Sequence, residues 1–130
     1  MKTADVISKL AENLTVFESI TEGITHDQAR WRPEPDRWSV LEVVNHLHDE
    51  EIEDFRLCSD ILINSPEKDW PSFNPGDWVT NRSYNTRDID NSVSYLVTER
   101  QKSLDWLRGL DDPDWNVKHA GSNRFEKPMK

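Results

Sequence analysis

The chain has 130 residues, 35% of them hydrophobic and 32% charged, with 25 acidic against 16 basic residues and a formal net charge of −9. A chain of that sign repels phosphate, and no dense run of Lys or Arg offsets it, which excludes non-specific nucleic-acid binding. No segment approaches the ~20 apolar residues of a membrane span, the first residues lack the apolar run of a secretion signal, and the lone Cys58 leaves no intrachain disulfide; a single cytoplasmic domain over 1–130 is expected.

The spacing predicts a first helix from Thr3 to Thr21. Val6, Leu10, Leu14 and Phe17 recur at steps of three or four, and Ile7 and Ile20 widen the stripe. Thr3 is the expected N-cap and Gly23 the stop. Thr25 and Gln28 then form a capping box for a short helical turn through Trp31, which Pro33 and Pro35 end. His26, in that turn, reads as a solvated residue.

Ser39 and Glu42 make a second capping box. Apolar residues recur after it with no Gly or Pro until Pro66, which predicts a helix from Ser39 to Asn64, ~38 Å long at ~1.5 Å per residue. Bundles are the usual setting for so long a helix. On a helical wheel Leu41, Val44, Phe55, Cys58 and Leu62 share one face, and that row passes through His48 and Glu51. His46 falls near the opposite side with Glu42, Asp49, Glu50 and Glu53. Phase alone therefore favours His48 as the inward histidine, paired with Glu51. Cys58 is expected to be a small core residue.

Prolines at 66, 71 and 75 with Gly76 exclude a regular helix across 64–85. Trp70, Phe73, Trp78 and Tyr84 are too apolar for a free loop, so this stretch reads as a packed crossover with a helical turn near Trp78 to Arg82. A third long helix starts at Asp88 or Asp90 and runs to about Leu110, burying Val93, Leu96, Val97, Leu104, Leu107 and Leu110. Arg100 interrupts that row at core spacing and is expected to pair with a carboxylate from 49–54. Pro113 ends the pattern, and 116–130 reads as a polar tail. The fold class is all-α, with three long helices where an up-down bundle normally has four.

The sequence holds no Gly-x-Ser-x-Gly elbow and no Gly-rich phosphate loop, and Cys58 has no marked electropositive neighbour, so no catalytic residue is assigned. Metal binding is the sharpest functional reading, since imidazole is the commonest ligand near neutral pH and carboxylates on adjacent turns can join or orient it. The competing reading is a solvated acidic face with two incidental histidines. The spacing matches neither His-Glu-x-x-His nor the Glu-x-x-His pairs of di-iron bundles.

The run Arg32-Pro33-x-x-x-x-Trp38-Ser39-Val40-x-Glu42-Val43-x-x-His46-Leu47-x-Asp49-x-Glu51 resembles the DinB-like superfamily. The likeness continues through Phe73-Asn74-Pro75-x-x-Trp78, Tyr84-Asn85-x-x-Asp88 and Leu110-Asp111-Asp112-Pro113-Asp114-Trp115. The resemblance implies an up-down-down-up four-helix bundle, often a homodimer, with one divalent metal (nickel or zinc) held by three histidines. Some members are transferases that couple small thiols to electrophiles. Carried over by position, the first ligand is His46, against the wheel's preference for His48, with Asp49 and Glu50 as outer-shell groups. The family's other two ligands form a His-x-x-x-His pair on a last helix. No such pair occurs in this sequence, and His119 matches neither ligand.

The expectation is therefore a DinB-like, metal-dependent thiol transferase or hydrolase whose metal site, with His46 as ligand, is incomplete in this chain. Its bundle would be completed by a partner chain, as a homodimer, and its ligand would be a small-molecule thiol or electrophile. The alternative is a non-catalytic helical dimer that binds a small molecule or a protein partner.

Overall fold

Three helices start where a side chain takes an orphan N–H of the first turn. In the computed structural model of the chain, which describes residues 2–72 and 74–117, these are α2 (His26–Arg30), α3 (Val40–Glu50) and α6 (Ile89–Arg108), capped by Thr25, Ser39 and Asp88. The capping boxes of Thr25 with Gln28 and of Ser39 with Glu42 are both closed in each direction. The remaining elements are α1 (Thr3–Thr21), a π-helical segment (Glu51–Arg56), α4 (Leu57–Asn64), α5 (Pro75–Asn81) and a 3₁₀ turn (Tyr84–Thr86). No strand occurs among the described residues.

α6 lies at the centre, with α1 and α3 both packed on it. The C-terminal end of α1 (Phe17, Ile20, Thr21) meets the start of α3 and Val93 of α6, while Thr3 and Ile7 meet Leu107. α1 is therefore antiparallel to α3 and α6, giving an up-down-down order. Ala29, Leu41, Val44, Ile89 and Leu96 form the buried cluster where these helices join. At the same level Asn45 is buried and fully satisfied. Its Nδ2 donates to Leu41 O and Ser92 Oγ, both at 2.9 Å, and its Oδ1 accepts from Arg87 Nη1 at 2.8 Å.

The long helix after Ser39 runs unbroken to Asn64, but its middle turn is π. Bonding from i to i+5 inserts an extra residue and rotates everything downstream relative to a straight α-helix. The row that the wheel carried through Phe55, Cys58 and Leu62 therefore arrives only half-buried, and the buried residue of α4 is Ile61. Two neighbouring residues of α6 hold the π segment at both ends. Arg100 Nε donates to Glu51 Oε1 at 2.6 Å and its Nη1 to Leu10 O at 3.0 Å, and Arg56 pairs with Glu99. The carboxylate sought for Arg100 among residues 49–54 is Glu51.

A second polar hub ties the crossover to α3. The Asp49 carboxylate is buried and accepts from His48 Nδ1 at 2.8 Å, from Arg82 Nη1 at 2.7 Å and from the Tyr84 hydroxyl. Arg82 also grips Glu53 at 2.6 and 3.1 Å. Ser83, between the two donors, takes the left-handed φ of 52°, a conformation uncommon outside glycine. Burial works against the Asp49 charge, yet the hydrogen bonds from His48, Tyr84 and Arg82, with the Arg82 charge, hold its carboxyl well below the usual carboxylate range. Burial, and then the bond to Asp49, push the Tyr84 hydroxyl above its ordinary value.

Two expectations follow for stability. Arg100→Ala leaves Glu51 buried without its partner and should cost about 3–5 kcal/mol in urea unfolding, whereas in the Glu51→Ala background the same change should cost at least ~1 kcal/mol less, since contacting residues couple. Additive losses would contradict the pairing. For Asp49 the folded-state pKa is depressed, so its stabilisation is complete above the unfolded value of ~3.9 and drains away as pH falls below it. Asp49→Asn should therefore lower stability at pH 7 by about 3 kcal/mol and flatten the acid limb of the stability curve, measured by urea melts from pH 2 to 7.

Candidate metal centre

The capping box that starts α3 also sets the direction of its first two turns. Glu42 accepts from Ser39 N at 2.9 Å and from Arg32 Nε and Nη2 at 2.8 and 2.7 Å. The Arg32 hydrogen bonds keep the Glu42 carboxyl below its ordinary range although it is buried. From that start, His46 comes round one turn later between two indoles. The centroid of its ring lies 4.8 Å from that of Trp38 in an edge arrangement and 6.4 Å from that of Trp78. Arg82 stacks over the Trp78 ring at 4.3 Å, so the Asp49 hub fixes one wall of the His46 pocket. His46 Nε2 lies 3.1 Å from Glu50 Oε1 one turn on. Its Nδ1 is buried with no hydrogen-bond partner.

His48 points elsewhere. Its Nδ1 is taken by Asp49 and its ring faces Tyr95 at 6.3 Å. The two histidines are almost equally covered, at 17% and 21% side-chain exposure, so burial does not choose between them. Partners do: His48 is bound into the Asp49 hub, while His46 faces a carboxylate that has no other ion pair among the described residues. The pairing of His48 with Glu51 drawn from the wheel does not form, because Glu51 belongs to Arg100. His26 pairs with Asp88 at 2.9 Å on the half-exposed surface. His119 lies outside the described residues, as do most of the polar tail and Phe73.

The donor chemistry of a divalent ion can be weighed against this pair. Bonds of ~2.0–2.2 Å to nitrogen and oxygen place two donors of one ion about 3 Å apart, so the Nε2–Oε1 separation of 3.1 Å suits a shared cation as well as a hydrogen bond. Two donors are fewer than the three protein ligands usual for a catalytic zinc. Among the described residues no group of three or more His, Cys, Asp or Glu is placed to hold a metal ion.

The neighbours of His46 open onto a trough of two halves that share Leu47, one walled by α1, α3 and α6 and the other by α3, the π segment, α4 and Arg100 of α6. Trp38 lines its apolar half, a cavity of about 220 Å³ walled by Phe17, Ile20, Val43, Leu47 and Val97 among others. Glu50 lines the other half, about 410 Å³, with Glu51, Asp54, Phe55, Cys58 and Arg100. Val93 and Val97, expected in the core, are only half-buried because they line the apolar half. Ile20, expected on the buried stripe of α1, is 69% exposed for the same reason. The His46–Glu50 contact was legible as an i, i+4 pair. The indole walls were not, since Trp38 and Trp78 come from outside the helix.

No curated protein sequence matches the chain. Among solved structures it is similar to YfiT from Bacillus subtilis, described as a probable metal-dependent hydrolase with an unusual four-helix bundle topology. The two share 20% identity with a TM-score of 0.72, over 85% of this chain and 62% of that one, so the fold is common to both while this chain spans less than two thirds of its relative's length. No helix among the described residues is long and apolar enough to cross a membrane. The DinB superfamily model matches residues 9–129, and with the helical order and the Trp-Ser start of α3 in place, the chain belongs to the DinB superfamily.

Proposed function

We propose that this protein is a metal-dependent enzyme of the DinB type, a hydrolase or a thiol transferase acting on a small electrophile, and that His46 is the ligand residues 2–117 contribute. The observation that supports this reading is the His46 ring itself. It is clamped between two indoles with Nδ1 sealed off, which leaves Nε2, beside Glu50, as the nitrogen available to a ligand. A solvated acidic face with an incidental histidine would not need that enclosure. The description of YfiT as metal-dependent points the same way. When bound, the ion would supply Lewis acidity toward a substrate oxygen or sulfur. The chain's own part is to hold one imidazole rigid and to place a carboxylate beside it. The remaining donors come from outside the described residues.

Titration calorimetry of the full chain with nickel and with zinc tests the proposal. The expected result is one equivalent bound per assembled site, lost in His46→Ala and retained in His48→Ala. Binding in neither metal, or binding that survives His46→Ala, would overturn it.

A further inference from the structure

The apolar half of the trough is uniform in its chemistry. No charged side chain lines its 220 Å³. Its two hydroxyls are already engaged: Thr21 Oγ1 donates to Phe17 O at 2.7 Å, and Ser39 Oγ donates to Asn85 Oδ1 and accepts from Glu42 N. A polar group entering there gives up its water and finds both hydroxyl protons taken, the situation of a buried unsatisfied group. An apolar group loses nothing. A cavity of ~150 Å³ walled by Leu, Ile and Phe holds a benzene ring, so 220 Å³ admits a bicyclic or branched group.

Both ends of this cavity are acidic. Through Thr21 and Val93 it adjoins Glu18, Glu22 and Asp90, and through Leu47 it opens on Glu50 and Asp54. None of these carboxylates has a Lys or Arg partner among the described residues, whereas Glu51 in the same half as Glu50 is neutralised by Arg100. An occupant with an anionic group at either end therefore meets like charge at close range. The same rims disfavour a second copy, because a two-fold contact centred on the cavity sets carboxylates on carboxylates whichever ends meet. The mouth at Leu47 is also where the metal site proposed above begins. Leu47 follows His46 and stands one turn before Glu50, and Trp38 both lines the cavity and packs against the His46 ring.

We propose that the 220 Å³ cavity binds the compact apolar group, aromatic or branched, of a small molecule that carries no anionic group, with its polar end at the Leu47 mouth beside His46 and Glu50. This names the substrate class of the His46 site and rests on that reading for what happens at the mouth, but the binding itself requires no metal.

Titration calorimetry of the metal-free full chain with 2-naphthylmethanol and with 2-naphthoate, one ring system without and with a charge, tests the proposal. The expected result is one naphthylmethanol per chain, with naphthoate at least about tenfold weaker, the penalty of a like charge a few ångströms from a surface carboxylate. Glu50→Gln/Asp54→Asn should close that gap without weakening the alcohol. Val43→Trp and Ile20→Trp bring an indole into the cavity from opposite walls, at positions already 40% and 69% exposed. Each should abolish binding at unchanged circular dichroism, while Leu57→Trp, exposed on α4 outside the cavity, should retain it. The comparison of the two compounds needs no variant and decides the matter if a Trp substitution unfolds the chain. No binding of the alcohol, equal binding of both compounds, or binding that survives both cavity variants would overturn the proposal. So would one naphthylmethanol per two chains, or an affinity that falls as protein concentration rises, since either gives the cavity to a second copy. Because metal is absent throughout, failure here leaves the His46 reading standing, and a failure to bind nickel or zinc leaves the cavity result standing.

Discussion

The guanidinium of Arg100 joins three parts of the fold from the inside. It is only 12% exposed, it reaches the π segment through Glu51 and α1 through the Leu10 carbonyl, and it belongs to α6, on which α1, α3 and the π segment pack. A buried ion pair of this kind contributes little net stability compared with a well-packed apolar pair. Its role is geometric, because neither partner can leave without stranding a charge. Together with the adjacent Glu99–Arg56 pair it holds a six-residue π turn in the middle of a long helix. Such turns are rare and concentrate at functional sites. Here the turn begins at the residue after Glu50, so the clamp sets where the acidic half of the trough begins.

The second consequence of this frame is the enclosure of His46. The Asp49 hub holds Arg82, Arg82 stacks on Trp78, and Trp78 walls the imidazole opposite Trp38. The chain of contacts runs from a buried carboxylate to an aromatic face to a histidine, and each step uses a group that is already committed elsewhere. An imidazole restrained in this way loses little further freedom when a ligand arrives, which is the condition for a preorganised site. Two turns of helix thus carry two histidines with different tasks. His48 is a structural donor to Asp49, and His46 faces the open trough through Glu50.

Much of the helical layout was legible because it rests on local rules. The limits of α1, the two capping boxes, the uninterrupted run from Ser39 to Asn64 and the stop before Pro66 all depend on residues within one or two turns of each other. The crossover held more order than its prolines suggested, since Pro75 sits at the first turn of α5, where its missing N–H costs nothing. Wheel phases failed in two places for separate reasons. The π turn broke the period beyond Glu51, and Val93, Val97 and Ile20 face a trough that periodicity cannot distinguish from a core. The resemblance pointed to His46 where the wheel pointed to His48; in the structure His48 is tied to Asp49 and His46 stands beside Glu50.

The sequence by itself determined the long helices, the capping boxes at Thr25 and Ser39, the acidic character and the family, because these follow from neighbouring residues and from motif residues that need no third dimension to be read, whereas the N-cap of α1 is Lys2 and not the expected Thr3. Only the tertiary structure decided which histidine is engaged by Asp49, which carboxylate answers Arg100, and where apolar residues line a trough instead of a core. Those outcomes depend on side chains that lie far apart in the chain, 49 positions for Arg100 and Glu51 and 33 and 35 for the donors that share Asp49 with His48, meeting at angstrom distances, and on a helical phase that a single extra residue in one turn is enough to rotate.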